Sequence, residues 1–299
     1  MPAITSHGLR GERRENEPLA AHTSWRVGGP ARVFYRPADR DDLARFLAAL
    51  PAGEPLLWLG LGSNVLIGDA GFPGTVIHTQ GCLNALERRD GNLIYAEAGT
   101  SCAKLARFAA RHDLTGVEFL AGIPGTMGGA LAMNAGAWGG ETWERVLRVH
   151  TIDRHGRIRE RRAADFTPGY REVKGPEGEW FLDVELALAP GDGSAALARI
   201  RELLDRRAQS QPIGLPSCGS VFRNPPGDFA ARLIESQGLK GYRIGGAQVS
   251  EKHANFIINT GDATAADIAS LIDHVRDQVE QRTGVRLRTE VRRIAGDRS

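Results

Sequence analysis

GIPGTMGGALAMNAG, residues Gly122 to Gly136, is dense in glycine, holds one proline and carries no charge. Glycine lacks a Cβ, so it permits positive φ and lets another group approach the backbone closely. Glycines packed this tightly are unfavourable inside a helix or strand. The stretch therefore predicts a buried turn whose N–H groups face a ligand, with a phosphate-bearing cofactor as the first candidate. Taken alone it reads equally well as a tight turn between core elements.

Upstream, Ala31–Arg36 reads as a strand that stops at Pro37. Asp41 is placed to cap a helix carrying Leu43, Phe46, Leu47 and Leu50 at helical spacing, and Pro55–Leu59 has the length of a second strand. The turn after that strand is Gly60-Leu-Gly-Ser-Asn64, and open α/β sheets bind ligands at the carboxyl ends of their strands. Thr75–Thr79 and Leu93–Ala98 read as strands, and Ser101 opens a helix through Leu105 and Phe108. Beyond the glycine stretch, Val146–Ile152 and Arg157–Arg162 predict a hairpin. Trp180–Leu188 predicts a strand with Asp183 and Glu185 turned away from its apolar face. Pro190-Gly-Asp-Gly193 is the expected domain boundary, before a helix striped by Leu197, Ile200, Leu203 and Leu204. A helix from Asp228 and a short strand at Phe256–Ile258 follow. Thr264 and Asp267 then form a capping box, opening a helix through Ile268, Leu271, Ile272, Val275 and Val279 to Gly284. A last strand is expected over Val285–Ile294.

A chain of 299 residues suggests two or three domains, and 41% hydrophobic with 25% charged residues is an ordinary globular profile. The net charge of +2 gives no electrostatic case for a nucleic-acid partner. Cys82, Cys102 and Cys218 show no disulfide pattern, and the eight histidines no metal-ligand spacing, so no metal is expected. The polar N-terminus is not a signal peptide, and no apolar run is long enough to span a bilayer. The expectation is a cytoplasmic protein without a membrane partner. Two glycine-rich loops suggest a ligand with a pyrophosphate. Neither is a GxGxxG loop opening a helix or a GxxxxGK[ST] loop, so composition leads to a nucleotide or dinucleotide binder and no further.

The order of six blocks goes further. They are Thr23-Ser-Trp-Arg-Val-Gly-Gly-Pro-Ala31, Leu59–Asn64, Gly122–Ala130 with Met133-Asn-Ala-Gly136, Tyr170-Arg171, Gly219-Ser-Val-Phe-Arg-Asn-Pro225 and Glu290-Val291. Together they resemble the UDP-N-acetylenolpyruvoylglucosamine reductase family of peptidoglycan synthesis, often called MurB, over most of the chain from Thr23 to Ile294. The resemblance implies an α+β chain. An FAD-binding domain of the vanillyl-alcohol-oxidase (PCMH) type in two subdomains, 22–80 and 81–192, would follow a flexible lead-in at 1–21. A C-terminal α/β substrate-binding domain would occupy 193–299. It implies non-covalent FAD, NADPH as co-substrate, and reduction of an enolpyruvyl ether of UDP-N-acetylglucosamine to a lactyl ether. The runner-up is an FAD-dependent oxidase or dehydrogenase of the same flavin fold acting on another substrate. A non-catalytic nucleotide-binding protein would be expected to lack Arg171, Ser220 or Glu290, and all three are present.

By the same resemblance, Gly60, Gly62, Ser63 and Asn64 would hold the FAD pyrophosphate. Gly122, Ile123, Pro124, Gly125, Thr126, Gly128, Gly129, Ala130, Asn134 and Gly136 would cover the flavin and the rest of the cofactor. A bulky change such as Gly128→Val is expected to abolish FAD binding. Arg171 would face the substrate carboxylate, Ser220 would donate a proton and Glu290, hydrogen-bonded nearby, would help stabilise the intermediate. Read from the residues alone, Arg171 is one arginine of many, Ser220 a turn serine and Glu290 the compensating acid of a basic strand face. Asn224, Lys240 and His253 would contact substrate, Lys240 as partner of the UDP phosphates. Glu172–Trp180 leaves no room for a substrate-closing tyrosine insertion, which resembles the shorter subclass of the family.

Overall fold

The computed structural model describes residues 8–294. Residues 1–7 of the expected lead-in lie outside the described residues, and its later part is not loose: Glu12–Pro18 is a strand and the turn Leu19–His22 buries Leu19. The chain forms two compact units, each assembled from separated stretches. The first holds Val33–Gly60, Gly74–Asp205 and the residues up to Arg14; the second holds Glu15–Arg32, Leu61–Pro73 and the residues from Arg206 onward.

In the first unit a five-stranded antiparallel sheet runs in the order Ile158–Arg162, Val146–Asp153, Glu179–Ala187, Leu93–Glu97, Leu86–Arg89. Alternation along Glu179–Ala187 sends Val184 and Leu186 into a core with Ile94, Ala96 and Val149. Asp183 and Glu185 do point to the other face, yet both are buried, at 1% and 2% exposure. Buried carboxylates need partners. Asp183 pairs with Arg40 and with His150 Nδ1 at 2.8 Å, and Glu185 with Arg148 at 2.7 Å and with Arg89. Helix α1 (Arg40–Ala48) has its amide end capped by Asp39, which accepts from Asp42 N–H at 2.8 Å, rather than by Asp41 as expected. Asp42 itself turns inward, accepting from the Tyr35 hydroxyl at 2.5 Å and from Arg10 N–H at 2.7 Å.

Helices α2 (Cys102–Arg111) and α3 (Met127–Met133) contribute Leu105, Ala109, Met127 and Leu131 to the sheet's core. Ser101 precedes α2 at the expected position but makes no side-chain cap. The Gly122–Gly136 stretch is therefore not a bare turn: its centre is a short helix that ends in a left-handed residue, Asn134, with φ of 41°. Helix α4 (Gly193–Ser210) begins where the domain boundary was expected. Its Ala196 and Ile200 are buried in the first unit's core, and the units part within the helix, after Asp205.

The second unit has a three-stranded antiparallel sheet, Arg243–Ile244, Ala247–Val249 and Ile257–Asn259. Helices α5 (Ala230–Ser236) and α6 (Ala265–Thr283) share one apolar cluster with Trp25, Leu66 and Phe222. Helix α6 is built as the sequence predicts. Thr264 and Asp267 cap each other's backbone, Gly284 closes the helix at φ 73°, and Ile268, Leu271, Ile272, Val275 and Val279 are buried. The Asp69 carboxylate adds bonds from Ala265 and Ala266 N–H at 2.8 and 2.9 Å. The last strand is shorter than expected. Only Arg292–Ile294 forms a strand, parallel to Val65–Ile67; before it the chain meets residues 221–223 through a single bridge, Phe222 to Thr289, and Leu287 and Val291 bury against the core.

Candidate active site

In the first unit the two glycine-rich loops touch. A Cβ on Gly60 would lie 2.4 Å from Thr126 Oγ1, a distance no side chain tolerates, so glycine is required by the second loop's approach. The second loop is tied from beneath: Cys102 N–H donates to the Gly125 carbonyl at 3.1 Å, Met127 N–H to Thr100 at 2.8 Å and Gly128 N–H to Ala98 at 2.8 Å. A Cβ on Gly128 would meet Ala98 Cβ at 3.0 Å and Ala98 O at 3.2 Å. Gly128 is thus a packing glycine, with its amide already used inside the protein. Gly129 differs. It is exposed, and a Cβ there would enter open space whose nearest atom is Thr126 Oγ1 at 3.9 Å. An uncharged helix N-terminal turn fronted by such a space fits a flavin dinucleotide: backbone can approach it closely and no side chain obstructs it.

Asn134, expected on the cofactor, is 1% exposed and fully engaged with protein groups. Its Nδ2 donates to Glu141 Oε2 at 2.8 Å and Gly169 O at 3.1 Å, and its Oδ1 accepts from Trp143 N–H at 3.2 Å. It thereby holds the hairpin Thr167–Gly169/Glu172–Lys174, whose two-residue tip is Tyr170-Arg171. Arg171 sits at φ 58°, an uncommon conformation for a side-chain-bearing residue, and its Nη2 donates to Gly136 O at 2.8 Å. Trp138 was not singled out from the sequence. Its ring lies over Gly122, where a Cβ would meet it at 2.1 Å, and it stays 39% exposed. A tryptophan beside a dense run of glycines was the available signal.

In the second unit, Gly62, Ser63, Asn64, Ser220, Asn224, Lys240, His253 and Glu290 occur together in one compact body. Gly62 adopts φ 67° against the His22 carbonyl. Ser24 N–H donates to Gly62 O at 3.1 Å and Ser24 Oγ to Ser217 O at 2.7 Å, so the Thr23–Ala31 block ties the first loop to the segment before Ser220. Asn64 Nδ2 donates to the Glu290 carbonyl at 3.2 Å, and Glu290 N–H donates to Val221 O at 2.8 Å. Ser220, half-buried, follows Gly219 at φ 70°. Ser220 thus immediately precedes Val221, whose carbonyl accepts the Glu290 backbone N–H, so the two residues lie on neighbouring segments. Cys218 is buried, accepts contact from Ser24 Oγ at 3.4 Å, and has its thiol pushed up to about 12 by burial, which makes it inert as a nucleophile.

Asn224 Oδ1 accepts from Ala230 N–H at 3.1 Å, capping α5 in place of Asp228. Lys240 pairs with Glu235 at 2.6 Å, a partly exposed pair that an anionic ligand can replace. Burial, reinforced by the charge of Lys240, lowers the pKa of His253, so the ring is neutral at pH 7. Its Nδ1 accepts from Asn255 N–H at 3.2 Å, which places the remaining ring proton on Nε2.

Comparison with known proteins gives the family of this chain. Residues 31–161 match the family model of an FAD binding domain, and residues 211–294 match that of the UDP-N-acetylenolpyruvoylglucosamine reductase C-terminal domain. A UDP-N-acetylenolpyruvoylglucosamine reductase of Methylococcus capsulatus is 62% identical over 295 residues, covering 99% of this chain and 97% of the relative. One from Legionella pneumophila (strain Corby) is 60% identical over 283 residues, covering 94% of this chain and 92% of the relative. The chain belongs to the UDP-N-acetylenolpyruvoylglucosamine reductase family. The crystal structure of the family's MurB enzyme from Thermus caldophilus superposes with a TM-score of 0.82 at 34% identity, over 96% of this chain and 100% of that one. As a member of this reductase family the chain is an FAD-dependent oxidoreductase. Among the described residues no helix is long and apolar enough to cross a membrane.

Proposed function

We propose that the protein reduces UDP-N-acetyl-3-O-(1-carboxyvinyl)-glucosamine to UDP-N-acetylmuramate with NADPH, in cytoplasmic peptidoglycan precursor synthesis, without a nucleic-acid or membrane partner. The observation that carries the site assignment is the bond from Glu290 N–H to Val221 O, which sets the acid beside the segment bearing Ser220. When bound, FAD supplies hydride transfer from NADPH to the outer carbon of the enolpyruvyl group. The Gly60–Asn64 loop would hold the pyrophosphate, and the exposed surface at Gly129, beside buried Ala130, would take the flavin side.

Negative charge then develops on the neighbouring carbon and its carboxylate. The Arg171 guanidinium, permanently charged and forked, binds that carboxylate. Its strained backbone and its anchor on Gly136 O fix the fork before substrate arrives. Ser220 delivers the proton. A serine hydroxyl is a weak acid, so it serves only against a strongly basic enolate-type partner, and its placement governs the rate. Glu290 stabilises the same intermediate, while Lys240 and the Nε2–H of neutral His253 face the sugar nucleotide. Asn224 serves the substrate through the loop it caps.

The test uses the purified protein. It should carry flavin absorbance, and its NADPH oxidation should depend on the enolpyruvyl sugar nucleotide. In Ser220→Ala, flavin reduction by NADPH should persist while reoxidation by that substrate collapses. Normal rates in both half-reactions would remove Ser220 from the mechanism.

A further inference from the structure

Asn255 lies in the second unit and is 3% exposed. Its side-chain amide faces Phe222 as a second backbone would: Oδ1 accepts from Phe222 N–H at 3.0 Å and Nδ2 donates to Phe222 O at 2.8 Å. Its own carbonyl accepts from Val221 N–H at 2.9 Å. Three bonds from one residue thus hold the two positions that follow Ser220. The opposite side of that segment is held by Glu290 N–H on Val221 O at 2.8 Å and by the bridge between Phe222 and Thr289. On the preceding side, Ser24 Oγ fixes Ser217 O at 2.7 Å. Between these anchors only Cys218, Gly219 and Ser220 remain, and Cys218 is packed in the core.

A buried amide is expensive to desolvate unless its donor and acceptor are both used. Here both are used on the same residue, a pattern that fixes register as well as distance. We propose that Asn255 is a positioning residue that sets the approach of the Ser220 hydroxyl to the reacting carbon. The inference rests on the reading of Ser220 as proton donor. It extends that reading by assigning the serine's geometry to an asparagine in the turn that also carries His253. The His253 ring orients Asn255 in turn, through Nδ1 accepting Asn255 N–H at 3.2 Å.

The test compares full-length, FAD-loaded Asn255→Ala and Asn255→Asp with the parent, alone and combined with Ser220→Ala. Flavin absorbance is followed anaerobically in each half-reaction. Asn255→Ala should keep the rate of reduction by NADPH within about twofold and slow reoxidation at saturating enolpyruvyl substrate by about 100-fold, the scale of a small misplacement of a reacting group. Asn255→Asp keeps the acceptor for Phe222 N–H and should lose about tenfold. In the Ser220→Ala background neither change should slow reoxidation further. Reoxidation within about twofold of the parent, equal losses in both half-reactions, or full additivity with Ser220→Ala would overturn the proposal. If Asn255→Ala does not fold with flavin, Asn255→Asp decides by the same criteria. Normal reoxidation in Ser220→Ala itself removes the donor and this inference with it. A slow Ser220→Ala beside a normal Asn255→Ala removes the inference alone.

Discussion

Gly128 and Gly129 are neighbours with different physical duties. Gly128 is held against Ala98, with its amide bonded to the Ala98 carbonyl, so Gly128→Val should force the backbone apart. Overpacking of this kind destabilises by roughly 1–3 kcal/mol, and a thermal melt should report it before any flavin measurement does. Gly129 opens to free space, so Gly129→Val should leave the melting temperature close to that of the parent and remove FAD. Flavin content read from the absorbance of the purified variant checks this; full occupancy would place Gly129 outside the cofactor site. The sequence identified the run as close-approach backbone but not which glycine faces inward, because both have the same local composition. Asn134 teaches the same lesson: its block matched the family, yet its amide is consumed by Glu141, Gly169 and Trp143, a fact of tertiary contact.

At the scale of elements, α6 was the most legible, since its periodicity, its capping box and its closing glycine agree with one another. Thr264→Ala removes the bond to Asp267 N–H at 3.0 Å and should lower stability by about 1 kcal/mol. Leu271→Ala empties a fully buried site and should lower it by about 2–5 kcal/mol. Chemical denaturation of the two variants should rank them in that order. Elsewhere the pattern was right and the partner was invisible. Asp183 and Glu185 alternate as predicted, but their burial depends on Arg40, Arg89, Arg148 and His150, contributed by other elements. The last strand was over-extended because alternation at Leu287 and Val291 reports burial, whereas the residues between them are held to residues 221–223 by one bridge and single backbone bonds rather than by a continuous ladder. Asn255 gave no signal at all, being an asparagine in a polar loop until Phe222 is seen against it.

For the whole molecule, acid should be the destabilising direction. Asp42, Asp153, Glu179 and Glu185 all have folded-state pKa values below their ordinary ones; the opposing effect of burial is outweighed at Asp42 by the Arg10 backbone N–H and the Tyr35 hydroxyl, at Asp153 by the Arg157 backbone N–H and Arg159, at Glu179 by Arg161 and at Glu185 by Arg148. A carboxylate depressed in the folded state contributes stability above its unfolded pKa of about 4 and loses it as the pH falls through the lower folded value. The melting temperature should therefore hold near neutrality and fall steeply below about pH 4. A flat profile down to pH 3 would contradict these assignments.

The discontinuous make-up of the second unit bears on how the chain is made. Its core needs Trp25 and Val27 from one stretch, Leu66 from another and Val291 from near the end. A ribosome delivers these residues in order, so Trp25 leaves the exit tunnel long before the helices that cover it exist. The apolar surface of the early segments lacks its native partners until almost the last residue is synthesised. Synthesised alone, residues 206–299 should remain poorly folded by circular dichroism, and a separately supplied N-terminal piece should be needed to complete them. The unit that carries Ser220 is thus the last part of the chain able to fold, and a truncated chain leaves the proposed proton donor out of its place.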